Sequence, residues 1–178
     1  MLVTELTTYR KAGPADVPTI FKLISHYAAE RVMLARTLEE LYSSVREFTV
    51  AVEKSRVVAC GSLKFYDGRV AEIRSLSVEQ GHTSRGLGRG LVKRLLREAK
   101  SLGLETVFAL TTVPEFFRTC GFRETAREKF PAKIQRDCLS CELYPACPEK
   151  TVAIRVGKPK PRAYARPLIE EVPALRSA

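Results

Sequence analysis

Apolar residues along the chain alternate between a period near two and a period near three and a half, and the switches outline a series of strands and helices. Residues 5–11 read as a short opening strand. In "GPADVPTIFKLISHYAAE" the positions Ile20, Leu23, Ile24 and Tyr27 fall at helical spacing. "TLEELYSSVREF" reads as a second short helix, with Thr37 placed to cap it and Glu40 three residues later, the spacing of a capping box. "FTVAVE", "RVVACGSLKFY" and "RVAEIRSLSVE" are rich in β-branched and apolar residues, and "YDGR" between the last two is a hairpin signal. Three consecutive antiparallel strands are predicted. Helical spacing returns with Leu87, Leu91, Leu95, Ala99 and Leu102 in "GRGLVKRLLREAKSLG", and Gly103 is placed as a C-terminal cap. "ETVFALTT" then reads as a buried strand, "PEFFRTCG" as a short helix opening on Pro114, and "GFRET" as a further strand. From about residue 156 the periodicity stops. "GKPKPRAYARPLIEEVPALRSA" is proline-rich and basic, which predicts a flexible tail over residues 157–178, or an arm laid on a neighbouring subunit as in a homodimer.

Composition narrows the class. With 178 residues, 45% hydrophobic and 28% charged, the chain suits one domain with a real core, assigned here to residues 1–156. No stretch approaches the roughly 20 apolar residues of a membrane helix, and "MLVTELTTYRKAGPADV" lacks a basic region followed by an apolar one. A soluble, cytoplasmic protein is the expectation. Thirty Lys and Arg against twenty Asp and Glu give a net charge of +10, which favours anionic partners. These charges are spread along the chain without a nucleic-acid-binding motif, so a basic nucleic-acid module is disfavoured.

Five cysteines, an odd number without a secretion signal, argue for reduced thiols or a metal site over a disulfide framework. Cys138, Cys141 and Cys147 in "RDCLSCELYPACPE" approach metal-ligand spacing. A structural zinc takes four ligands. Only three are local, with Asp137 or a distant group needed to complete the set, so no metal is assigned. His26 and His82 read as a helix-surface and a loop residue rather than as catalytic groups.

The densest glycine stretch is "TSRGLGRG", at a strand-to-helix junction. Such a helix start presents unpaired N–H groups and a positive dipole end, which together suit phosphate, and glycines allow close approach. The spacing matches neither the dinucleotide fingerprint nor a nucleotide-triphosphate loop.

The wider segment "EIRSLSVEQGHTSRGLGRGLVKRLL" resembles the acetyl-CoA-binding motif of the GCN5-related N-acetyltransferases (GNAT), in which a Q/R-x-x-G-x-G/A loop holds the CoA pyrophosphate at the following helix. Arg85-x-x-Gly88-x-Gly90 matches every letter; Thr83-x-x-Gly86-x-Gly88 departs at its first position but keeps the usual helical register, and is preferred. "LETVFALTTVPEFFRTCGF" resembles the family's next strand and helix with the closing G-F pair. Many members carry there a tyrosine that protonates the leaving thiolate, and this chain has Phe117. The resemblance implies an α/β (α+β) fold, a single GNAT-type domain whose central mixed, mostly antiparallel sheet is flanked by helices and splayed between its fourth and fifth strands. It also implies acetyl-CoA as cosubstrate, touching Leu76, Ser77, Val78, Thr83, Ser84, Arg85, Gly86, Leu87, Gly88, Arg89 and Phe117.

"VMLARTLEELYSSVREFTVA", "EIRSLSV" and "VFALTTVPEFFRTCGF" are similar, more narrowly, to the short bacterial N-acetylglutamate synthases, the amino-acid N-acetyltransferases of arginine biosynthesis. That implies L-glutamate as acceptor. Longer members carry a kinase-like domain that binds arginine; 178 residues leave no room for it, so feedback by that route is not expected. Aminolysis of a thioester needs a base for the ammonium and a donor for the carbonyl oxygen. Glu72 is the candidate base, and the resemblance puts the carbonyl on a backbone N–H between Leu76 and Val78. Strand alternation would set Glu72, Arg74, Leu76 and Val78 on one face and Ile73, Ser75 and Ser77 on the other. Two carboxylates call for cations, and Arg36, Arg74 and Lys150 are the candidates.

Overall fold

Strand β1 (Thr8–Lys11) opens the part of the chain, residues 7–158, that the computed structural model describes. A 3-10 turn at Pro14–Asp16 leads into helix α1 (Val17–Ala29), which buries Val17, Ile20, Leu23 and Ile24. Thr37 caps α2 (Leu38–Ser43): its hydroxyl accepts from the Glu40 amide at 3.1 Å while the Glu40 carboxylate accepts from the Thr37 amide at 2.9 Å. β2 (Phe48–Glu53), β3 (Arg56–Phe65) and β4 (Val70–Val78) follow as the expected antiparallel run. Helix α3 (Leu87–Ser101), β5 (Thr106–Thr111) and α4 (Pro114–Thr119) come next. The remainder is β6 (Arg123–Glu124), a turn of helix α5 (Pro131–Lys133) running into a π-helical turn (Ile134–Cys138), and β7 (Lys150–Arg155).

The strands form one seven-stranded sheet in the order β1-β2-β3-β4-β5-β7-β6. Only β4 and β5 run parallel, because α3 carries the chain back across the sheet between them. Helices cover both faces. Leu87, Leu91, Val92, Leu95 and Ala99 of α3 pack on Ala51, Val58, Ala59, Leu63, Ala71 and Ile73, and α1 packs on Phe48, Val50 and Cys60 on the opposite side. Leu102, grouped with the α3 stripe by spacing, is 57% exposed, because the helix ends at Ser101 and the chain turns through Gly103 at φ +75. "GFRET" supplies only two strand residues at the sheet edge. The neighbour of β5 is instead β7, whose "KTVAIR" pairs with all of Thr106–Thr111.

Two irregularities make room for a site. β4 pairs with β5 only at Val70↔Thr106, Ala71↔Val107 and Glu72↔Phe108, although β4 continues to Val78 and β5 to Thr111. The two strands part beyond Glu72, as expected, and one backbone edge of β4 faces a gap. At the same point the β3–β4 register slips, from Cys60↔Ser77 to Ser62↔Arg74, with Ser75 at φ +53. Two β4 residues there stand against Gly61 alone, which is a bulge. A Cβ on Gly61 would lie 2.9 Å from Leu76 Cδ1, so glycine is what lets Leu76 cross there.

That bulge corrects the expected face assignment. Glu72 and Arg74 lie on one side, but the extra residue inverts the alternation. Leu76 and Val78 therefore join Ile73 on the α3 side, in contact with Leu87, Leu91 and their neighbours. Ser77 goes to the α1 side opposite Cys60, where its hydroxyl lies 3.5 Å from Met33 Sδ.

Candidate functional site

A cleft of about 630 Å³ fills the gap between β4 and β5, a size typical of small-ligand sites. One end lies at the start of α3. Gly86 takes φ +82 as the N-cap, and the Gly90 amide bonds back to the Gly86 carbonyl at 2.9 Å. The amides of Leu87, Gly88 and Arg89 therefore have no partner within the helix. Thr83, Ser84, Gly86, Leu87, Gly88 and Arg89 all line the cleft. An added Cβ on Gly88 would sit 3.3 Å from the Phe116 ring, so that backbone is open only while residue 88 has no side chain. Gly90 serves packing instead, since its Cβ would lie 2.0 Å from the Tyr9 hydroxyl. The helix thus starts in the register of the Thr83-x-x-Gly86-x-Gly88 frame.

At the other end stands Glu72, 3% exposed. Its Oε2 accepts from the Tyr66 hydroxyl at 2.7 Å and from Lys133 Nζ at 3.1 Å. Asp137 closes the group, accepting from Tyr66 at 2.5 Å, from Lys133 at 3.0 Å and from Lys64 at 2.9 Å. Burial works against ionisation of Asp137, but the bonds from Lys64, Tyr66 and Lys133 outweigh it and hold its carboxyl well below the usual range. Burial, reinforced by the Glu72 charge, pushes the Tyr66 phenol far up, so it acts as a donor and not as a base. Burial also disfavours the Lys133 ammonium, and Glu72 and Asp137 reverse that effect, so Lys133 is a firm cation.

Arg36 and Arg74 line the same cleft as Glu72. Arg36 Nε donates to Glu40 Oε2 at 3.1 Å, and Arg74 stands 3.6 Å from Asp137, beyond hydrogen-bond reach. Leu76, Val78 and Phe117 also line it. Phe117 is buried in an edge-to-face cluster with Phe116 and Phe122 and carries no polar atom to offer.

Three expected site residues lie elsewhere. Arg85 reaches away to the buried Glu53 carboxylate at 2.9 Å and is not part of the cleft wall. Ser77 is turned to the α1 side by the bulge. Lys150 opens β7 opposite Thr111 as an exposed residue, while its neighbour Glu149 lines the cleft, with burial raising that carboxyl's pKa. His82, read as a plain loop residue, does line the cleft, 3.1 Å from Glu79.

Spacing alone could not find Tyr66, Lys133 and Asp137, which come from the end of β3 and from a turn more than sixty residues later. The π-helical turn aims Asp137 inward, in a segment where spacing offers it only as a completing ligand for the cysteines. Cys138 is buried, and Cys141 and Cys147 are half-buried. Among the described residues no group of three or more His, Cys, Asp or Glu side chains is arranged to hold a metal ion. None of the described helices is long and apolar enough to cross a membrane.

A splayed mixed sheet with a phosphate-suited helix start beside the splay is the architecture that the sequence resemblance to the N-acetyltransferases implies. Residues 18–122 match the model of the acetyltransferase (GNAT) family, and the chain belongs to that family: it is an N-acetyltransferase that takes acetyl-CoA as cosubstrate. It is 38% identical over 143 residues to an uncharacterised N-acetyltransferase of Chlorobaculum tepidum, covering 80% of this chain and 92% of that one. It is 40% identical over 128 residues to an amino-acid acetyltransferase of Mycobacterium tuberculosis, covering 70% and 73%. Among solved structures, a Mycobacterium tuberculosis protein in complex with CoA and NLQ superposes with a TM-score of 0.73 at 31% identity, covering 83% of this chain and 98% of that one.

Proposed function

We propose that this acetyltransferase acetylates the α-amino group of L-glutamate, giving N-acetylglutamate in the first step of arginine biosynthesis. The observation that carries the reading is the meeting of one buried carboxylate, Glu72, with three cations, Arg36, Arg74 and Lys133, in the wall of a single cleft. An amino acid acceptor brings an ammonium that must lose a proton and carboxylates that must be held, and this wall offers both kinds of group. The 40% identity to a protein named amino-acid acetyltransferase supports the same class of acceptor.

In this reading Glu72 takes the proton from the ammonium, directly or through water. Its Oε1 carries no hydrogen bond among the described residues, while Tyr66 and Lys133 hold Oε2. The amine then attacks the thioester carbonyl: a C–N bond forms, the C–S bond breaks, and the electron pair leaves on sulfur. The backbone of β4 past Glu72 supplies the N–H that stabilises the carbonyl oxygen, because β5 has moved away from that edge. The attacking nitrogen gives up its second proton to water as the amide forms, and because Phe117 has no proton to give, the thiolate takes its proton from water.

Thiol release from acetyl-CoA across a panel of amines, including glutamate, glutamine, aspartate, ornithine and a polyamine, tests the acceptor. Glutamate should give the highest kcat/KM. A higher value for any other amine would replace glutamate and keep the acetyltransferase.

A further inference from the structure

A second groove, of about 460 Å³, runs along the outer side of α3, bounded by the end of α4 and the end of β7. Arg89, Lys93, Arg97, Lys100 and Arg155 line it together with Val92, Leu96, Thr119, Cys120 and Val156, and no carboxylate is among them. Three exposed arginines elsewhere show what a matched cation looks like, Arg10 with Asp16, Arg56 with Glu79 and Arg118 with Glu124. In the groove Arg89 reaches only the Thr119 hydroxyl, at 3.5 Å, and the other four make no ion pair among the described residues. Five like charges without a counter-charge raise the local potential and favour an anion.

Arg89 lines both this groove and the acetyl-CoA cleft, so the two are continuous at the start of α3. At a rise of about 1.5 Å per residue, Arg89 and Lys93 stand roughly 4.5 and 10 Å along the axis from Gly86, where the free amides await a pyrophosphate. In coenzyme A the ribose 3′-phosphate is one sugar away from that pyrophosphate. We propose that the basic groove is the binding site for the 3′-phosphate of acetyl-CoA, with Arg89 and Lys93 as its direct partners and Arg97, Lys100 and Arg155 supplying the surrounding positive field. The enzyme then distinguishes acetyl-CoA from its 3′-dephospho form. The proposal rests on acetyl-CoA as cosubstrate and not on glutamate as acceptor.

The test is direct binding of CoA and of 3′-dephospho-CoA by titration calorimetry without any acceptor, so failure of the glutamate reading does not affect it. Wild type should bind CoA about tenfold more tightly than dephospho-CoA, the sum expected of a few solvent-exposed ion pairs, and the gap should shrink as salt rises from low to high ionic strength. Lys93→Gln with Arg97→Gln should weaken CoA severalfold toward the dephospho-CoA value, with Arg89 keeping the rest of the gap, and leave dephospho-CoA binding unchanged. Adenosine 3′,5′-bisphosphate should compete with CoA, and inorganic phosphate should do so only weakly. Equal affinities in wild type, or a double variant that weakens both ligands alike, would overturn the assignment. Simultaneous binding of the bisphosphate and CoA would also overturn it, since the groove would then serve a separate anion.

Discussion

The Tyr66 hydroxyl, at the end of the β3–β4 hairpin, lies 2.7 Å from Oε2 of the buried Glu72 and 2.5 Å from Oδ2 of Asp137. One phenolic proton thus stands between two carboxylates, with Lys133 bonded to the same two oxygens. Tyr66 also packs against Phe108, which stacks on Phe130. The candidate base is therefore held by an aromatic stack, through a hydroxyl fixed by that packing.

Tyr66→Phe keeps the ring and removes the hydrogen bond. Losing a donor to a charged group costs about 1.5–3 kcal/mol, and if that bond orients Glu72 in the transition state the loss appears in kcat, roughly tenfold or more. KM for acetyl-CoA should stay near wild type. Steady-state kinetics beside a melting curve decide the matter: a lower Tm with unchanged kcat would make Tyr66 a structural residue only.

Asp137 gives the protein a pH dependence whose sign is fixed. Its folded pKa is depressed, so its contribution is present above the ordinary aspartate value of about 4 and is lost as the pH falls through the folded pKa. Asp137→Asn should cost about 1–3 kcal/mol at pH 7. The difference from wild type should be constant above about pH 5 and narrow below about pH 4. Urea unfolding of both proteins from about pH 7 to about pH 3 measures it, and a gap that widens on acidification would contradict the arrangement.

The two glycines of the motif should fail differently. Gly90→Ala drives a Cβ into Tyr9, whose hydroxyl and Cζ would lie 2.0 and 2.6 Å away, and overpacking of this kind costs about 1–3 kcal/mol. Stability should fall, and Tyr9→Ala in the same chain should restore part of it. Gly88→Val places its bulk toward Phe116 and the cleft, so acetyl-CoA affinity should fall far more than Tm. Equal loss of affinity in both variants would favour the frame that includes Gly90.

Local patterns carry most of this fold to the surface of the sequence. Thr37 and Glu40 form the expected capping box, and Leu87, Leu91, Leu95 and Ala99 form the buried stripe of α3. Two features have no local signature. The bulge at Ser75 depends on Gly61, a residue of the neighbouring strand, and it overturns the faces that simple alternation assigns to Leu76, Ser77 and Val78. Likewise Arg85 matches a motif letter, yet a buried carboxylate on β2, Glu53, claims it. The group around Glu72 joins residues 64, 66, 72, 133 and 137, and only tertiary folding reveals that proximity.

Arg36 and Arg74 are not equally free to read the acceptor. Arg36 is already engaged, with Nε on Glu40 at 3.1 Å and a terminal nitrogen 3.5 Å from Ser44 Oγ. Arg74 stands 3.6 Å from Asp137 without hydrogen-bond contact, so its fork is the freer of the two. If a glutamate carboxylate is held there, glutamine offers a neutral amide instead. A charge-assisted bond is worth about 1.5–3 kcal/mol, so wild type should prefer glutamate by roughly 10- to 150-fold in kcat/KM. Arg74→Leu should remove most of that preference, and Arg36→Leu a smaller part. Neither should alter CoA affinity much, because the helix start that faces the pyrophosphate is at the other end of the cleft. Asp137→Asn serves as the control for disturbance of the ion cluster: it should keep the glutamate preference, since it leaves both arginines in place. Wild-type kcat/KM values that are equal for the two amino acids would remove glutamate as the acceptor.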